Sequence, residues 1–286
     1  MSIKFMDKVV LREEKGGAAE VYTHGGHVTS WKTSLGKELI FLSKKAIFEP
    51  PKAIRGGVPI CFPQFGMMGP MPTQHGFARN VNFVLKRLDG VAPTACNTTS
   101  MVLRYDGKGH ETFPYPFELR STVTLGDSTL TQELSVTNTG TQPFQFTCAL
   151  HTYFRISAID QVKIKGLSKC RYLDNLQEMR ELTDDQTELL FQRETDRVYL
   201  AAPDSIEIHD SGSGRVFEIT KTGFPDAVVW NPWVDKAAKM ADFGDEEYKE
   251  MLCIEPAVAG SGAVSLEAGM TWRGSQVIRH YQASGA

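Results

Sequence analysis

No run of five or more Lys and Arg occurs anywhere in this chain, whose formal net charge is -3. Nucleic acid and anionic membrane are therefore not expected partners. Long apolar runs are also missing: the stretch 58–62 is short and broken by proline, and the opening MSIKFMDKVV has no signal-peptide core. A soluble, unexported, cytoplasmic protein is expected, and the closing Ser284-Gly285-Ala286 is no peroxisomal address of the S-K-L kind. Five widely spaced cysteines (Cys61, Cys96, Cys148, Cys170, Cys253) include no C-x-x-C pair. That argues against disulfides and a zinc cluster and for a reducing compartment. Cys61, Cys148 and Cys253 lie in apolar segments, where cysteine acts as a small buried hydrophobe. The G-x-S-x-G elbow, the P-loop and the G-x-G-x-x-G fingerprint are all absent, so no nucleotide cofactor is expected.

Helical periodicity is scarce, and alternation takes its place. Phe117, Leu119, Val123 and Leu125 alternate with polar residues; after a Gly126-Asp127 turn, Leu130, Leu134 and Val136 resume the pattern, which predicts a hairpin. A strand over 144–151 follows, with Phe144, Phe146, Cys148 and Leu150 on one face and Gln145, Thr147, Ala149 and His151 on the other. Further short strands are expected at 9–12, 20–23, 39–42, 83–88, 101–105, 206–209, 216–220, 227–230 and 277–281. The one credible helix spans 235–243, with Asp235 as N-cap and Gly244 as stop. The pattern predicts an all-β, mostly antiparallel sandwich with few short helices. With 286 residues, 41% of them hydrophobic, and no linker or repeat, residues 1–286 are expected to form one domain, a monomer.

The segment 49–79 differs from its neighbours, carrying six prolines and five glycines that rule out regular ladder or helix. It holds Arg55, Gln74, His75 and Arg79, and a long ordered loop on a β scaffold is where binding groups concentrate. A guanidinium beside glycines suits phosphate, although a single arginine is more often a surface ion-pair former. His24 and His27 in HGGH invite a metal reading, but i, i+3 on an extended or turning backbone diverges and no acid adjoins; a structural or surface role is expected. His110 and His280 are expected to be ordinary exposed residues. His151 shares a face with Tyr153; that face is either solvated or lines a pocket, and imidazole suits proton transfer near neutrality. Glu255 falls at the end of an apolar run, followed by Pro256, and is grouped with Met251 and Cys253 opposite Leu252 and Ile254. It is either a surface carboxylate or a desolvated one of raised basicity.

The segments RGGVPICFPQFG (55–66), QHGFAR (74–79), LHTYF (150–154), ETDRVY (194–199), VVWNPW (228–233) and CIEP (253–256) together resemble the aldose 1-epimerase superfamily, most closely its glucose-6-phosphate 1-epimerase branch. The resemblance implies a galactose mutarotase-like supersandwich with the sugar in a cleft on a concave sheet face. It implies His151 as general acid and Glu255 as general base, exchanging the α and β anomers by ring opening and closure, without metal or cofactor. Arg55, Gln74, Arg79 and Asp196 match substrate-contacting positions, the arginines as phosphate ligands, and His75 matches a histidine that contacts the sugar near its ring. The implied partner is a small sugar phosphate. Alternatives are an epimerase of unphosphorylated aldoses, a non-catalytic carbohydrate-binding sandwich and, more remotely, a glycosidase, for which two carboxylates would be expected.

Overall fold

The alternation at 117–138 forms the hairpin it predicts, Phe117–Gly126 paired with Thr129–Asn138, with every second residue of the first strand buried. In the computed structural model, which describes residues 7–86 and 97–283, this hairpin lies within a nine-stranded sheet. Strand Arg215–Thr222 pairs in that sheet with the long strand Thr271–Gln282, which in turn pairs with Thr129–Asn138. An eight-stranded sheet faces it, in which Thr195–Tyr199, Asp226–Asn231, Met251–Val258, Cys148–Leu150 and Ile60–Cys61 are successive neighbours. Neighbouring strands in both are antiparallel. The two sheets close on a common core: the Phe154 and Phe217 rings lie 5.1 Å apart across the sandwich, and Phe62 meets Phe117 at 4.9 Å.

The eight-stranded sheet is covered on both faces, and alternation decides which residue goes where. Leu252, Ile254, Phe146, Cys148 and Leu150 enter the inter-sheet core, while Met251, Cys253 and Ala149 belong to apolar clusters on the opposite face. His151 and Glu255 open on that second face. The alternation therefore assigned both faces correctly, but the expected strand over 144–151 is two strands. Phe144–Phe146 pairs with Val264–Leu266, and Cys148–Leu150 joins the eight-stranded sheet. Thr147 sits at the break, where its hydroxyl accepts the Phe65 N–H and donates to the Met68 carbonyl.

Three further expectations change. Glu255 is interior to its strand, which runs through Pro256 to Val258. Pro256 is tolerated because its nitrogen faces the gap between Cys148–Leu150 and Tyr153–Arg155; in that gap only the Ile254 N–H reaches across, to Thr152 at 3.3 Å. The helix is Trp233–Ala237 rather than 235–243. It starts earlier because Asn231, just before the N-cap Pro232, turns the chain into the helix, its Oδ1 taking the Trp233 N–H at 2.9 Å. The run 39–42 makes isolated bridges at Ile40 and Leu42 instead of a strand. The remaining expected strands form, the last of them as the longer strand Thr271–Gln282 instead of 277–281; Arg87 and Leu88 of the run 83–88, Cys96 and Ser284–Ala286 lie outside the described residues.

Candidate active site

Register builds the floor of the site. Asp196 lies opposite Trp230, Trp230 opposite Cys253 and Cys253 opposite Tyr153, one row across four strands in which Asp196 and Trp230 line the cleft while Cys253 and Tyr153 are buried outside its lining. The next row is Val198, Val228 and Glu255. His151 follows Cys148–Leu150 where that strand ends, its N–H bonded to the Pro59 carbonyl. Its ring stacks on Tyr153 (4.7 Å, 9° between planes) and meets Trp230 edge-on at 5.7 Å. Aromatic contacts on two sides hold the imidazole in one orientation.

The proline- and glycine-rich loop forms the wall, and its backbone demands its glycines. Gly57 has φ +68, and a Cβ there would lie 2.2 Å from the Val28 carbonyl and 2.5 Å from His27 Nε2. Both histidines of HGGH are buried and fasten this loop: His24 Nε2 bonds the Lys52 carbonyl and His27 Nε2 the Gly56 carbonyl, each at 2.8 Å. The structural role expected for them holds. Gln64 secures the next turn, donating to Met71 and Thr73 carbonyls and accepting the Met71 N–H. His110 and His280, expected to be exposed, are half-buried against Phe77 and Trp31.

His151 Nδ1 lies 3.3 Å from Glu255 Oε1, with Glu255 almost wholly buried. Burial pushes the Glu255 carboxyl well above the ordinary carboxylate range, and nearby Asp196 pushes it the same way, against Arg79. Burial, then His75, Arg79 and Arg55, holds His151 well below the usual imidazole value. Each group alone favours its neutral form, so the resting pair holds one exchangeable proton, on the carboxyl rather than as an imidazolium. Glu255 Oε2 and His151 Nδ1 are both buried without a hydrogen-bond partner. His75, pushed down to about 3 by burial and then by Arg79 and Arg55, is a neutral imidazole. Its Nδ1 accepts the Gly66 N–H at 3.1 Å, so Nε2 carries the proton.

All seven residues singled out in the sequence line one cleft of about 620 Å³: Arg55, Gln74, His75, Arg79, His151, Asp196 and Glu255. Arg55 is braced by Asp242 (Nε to Oδ1, 3.2 Å) and donates to the Tyr153 hydroxyl. The Arg79 guanidinium donates to the Gln74 carbonyl, and it has no ion-pair partner among the described residues. Asp196 accepts from Asn175 at 2.6 Å, and its carboxyl is raised first of all by burial. Asn175, Asp242 and Lys236 escaped the sequence reading. Lys236 lines the cleft 3.4 Å from Glu194, and Asp242 falls in the run taken for helix. Nothing in their local pattern marks them, because only the fold brings those turns to the cleft.

A sandwich that buries an imidazole–carboxylate pair in a cleft lined by two arginines defines a class of proteins fitted to move protons on a bound polar ligand. Comparison with known proteins narrows it. The aldose 1-epimerase family model matches residues 7–279. A relative from Cenchrus ciliaris, named as a candidate glucose-6-phosphate 1-epimerase, is 48% identical over 94% of this chain and 83% of its own length. One from Escherichia coli K12 with the same name is 36% identical, covering 82% and 78%. The crystal structure of a candidate mutarotase from Salmonella typhimurium superposes with a TM-score of 0.84 at 28% identity, covering 98% of this chain and 92% of that one. A galactose mutarotase-related enzyme from Lactobacillus acidophilus, at 14% identity, shares the fold with a TM-score of 0.77 over 97% and 98% of the two chains. The chain belongs to the aldose 1-epimerase family, and it is an epimerase of the mutarotase type.

Proposed function

We propose that the protein interconverts the α and β anomers of a hexose 6-phosphate, glucose 6-phosphate being the substrate its curated relatives are named for. The observation that carries this reading is the His151–Glu255 pair, 3.3 Å apart at the floor of a cleft that Arg55 and Arg79 also line. Anomer exchange removes a proton from the C1 hydroxyl and adds one to the ring oxygen O5. The C1–O5 bond then breaks, C1–C2 rotates, and closure occurs on the other face. The proton count of the catalyst does not change in the opening step, so a pair holding one proton suffices. In the reactive arrangement that proton sits on His151 and Glu255 is a carboxylate: Glu255 takes the O1 proton while His151 gives one to O5, and closure reverses the transfer. Neutral His75 donates its Nε2–H to a sugar oxygen near the ring, and Asp196 accepts from sugar hydroxyls.

The hexose carries its phosphate on C6, attached to C5 beside O5. A sugar with O5 at His151 therefore brings the phosphate to the arginines whose charge acts on that imidazole. Arg79 is the stronger phosphate ligand, because Arg55 already shares its charge with Asp242 while Arg79 has no carboxylate partner among the described residues. Rates for glucose and glucose 6-phosphate, compared in wild type and Arg79→Ala, test this. A charge-assisted bond is worth roughly 1.5–3 kcal/mol, so the variant should lose about ten- to a hundredfold in kcat/KM for the phosphorylated sugar only. Equal kcat/KM for both sugars in the wild type would reject the phosphate assignment.

A further inference from the structure

Cys253 takes no part in the acid–base scheme, yet strand register sets it on the face of Glu255 and directly opposite Tyr153, whose ring stacks on His151. A ligand atom of each of His151, Cys253 and Glu255 lies within 4.8 Å of the others, and all three side chains are buried. Two donor atoms of this cluster, His151 Nδ1 and Glu255 Oε2, are buried without a partner. His24 Nδ1 and His27 Nδ1 are also unpartnered, but each of those rings is fixed through Nε2 to a backbone carbonyl and neither belongs to a cluster of ligand atoms, while His75 Nδ1 is taken by Gly66.

We propose that these three side chains form an inhibitory site for a thiophilic divalent cation, for which Zn²⁺ is the natural probe. Imidazole nitrogen, thiolate sulfur and carboxylate oxygen are the donors zinc selects. Bonds of about 2.0–2.3 Å in a tetrahedron give edges of roughly 3.5 Å. The 3.3 Å His151–Glu255 separation already matches such an edge, and the separations to the Cys253 sulfur, within 4.8 Å, need small side-chain shifts to close on an ion. A divalent ion held by one thiolate and one carboxylate is electroneutral, which suits a desolvated site. On binding, two protons leave to solvent, the thiol's and the one held by the His151–Glu255 pair; His151 Nδ1, the Cys253 sulfur and a Glu255 oxygen then each donate a lone pair, and no electron transfer occurs. Occupation takes the lone pairs that proton transfer needs, so the ion silences the enzyme without displacing its fold.

The test uses metal-stripped full-length protein, titrated with Zn²⁺ by calorimetry and with Co²⁺ by absorption, alongside mutarotation assays. The wild type should bind one Zn²⁺, lose mutarotation in step with binding and recover on adding EDTA. Co²⁺ should produce a thiolate-to-cobalt charge-transfer band. Cys253→Ala should keep its basal mutarotation, lose that band and need at least about tenfold more Zn²⁺ for half-inhibition. Cys253→Ser provides a second variant with the same expectation should alanine leave a disruptive cavity. The absence of a thiolate band in the wild type, or equal Zn²⁺ inhibition with and without the thiol, overturns the proposal. The cobalt spectrum is read without sugar, so it stands apart from the choice of substrate.

Discussion

Burial acts in opposite senses on the two central side chains, raising the carboxyl of Glu255 and lowering the imidazole of His151, so each favours its neutral form. Glu255→Gln keeps the volume and most of the contacts of this buried side chain but cannot exchange a proton. Polarimetry or exchange NMR should show mutarotation reduced by about 10²- to 10⁴-fold, the range for one positioned acid or base, with circular dichroism unchanged. Wild-type turnover in that variant would remove Glu255 from the mechanism. His75→Asn retains a neutral donor without titrating. It should therefore preserve the pH profile of kcat while raising KM by about tenfold or less, the cost of a displaced hydrogen bond.

At the level of elements, the wall of the cleft is irregular backbone that only glycine can follow in places. Gly57→Ala should cost about 1–3 kcal/mol or more in a denaturant titration, since its Cβ would collide with the Val28 carbonyl at a positive φ. Because Arg55 lies two residues earlier, the same variant should weaken substrate binding. Gly66 provides the control: its φ is +53, but a Cβ there meets nothing within 4 Å. Gly66→Ala should lose only about 1 kcal/mol, the backbone cost alone. If the two variants proved equally stable, close approach at Gly57 would not be what fixes the loop. The floor follows a different rule: two rows of cross-strand neighbours, set by register, align Asp196 with Trp230 and Val228 with Glu255.

Across the whole molecule, several histidines are buried neutral, and this sets its response to acid. Burial holds His27 down to about 4 and His75 to about 3, against about 6.5 in an unfolded chain. Between these values the unfolded state binds protons that the folded state refuses, so stability is full above about pH 6.5 and falls as pH drops. Glu255, with its raised value, acts in the opposite sense and offsets one histidine. His27→Gln retains a donor for the Gly56 carbonyl but not the titration. It should flatten the fall in stability between pH 6.5 and 4 by about 1.4 kcal/mol per pH unit, read from urea unfolding at each pH. The sequence by itself determined the β class, the hairpin at 117–138, and the faces of His151 and Glu255, because a period of two is local and survives whatever the strands later pair with. Motif resemblance likewise marked all seven cleft residues before any coordinates. What only the tertiary structure decided was the meaning of those faces. The polar side of His151 became a buried floor rather than a wet surface because the loop at 49–79 folds over it. Glu255 could sit mid-strand before a proline because a neighbouring strand breaks there. Asp242, Lys236 and Asn175 joined the site through turns distant in sequence, and no local pattern encodes a contact made across the fold.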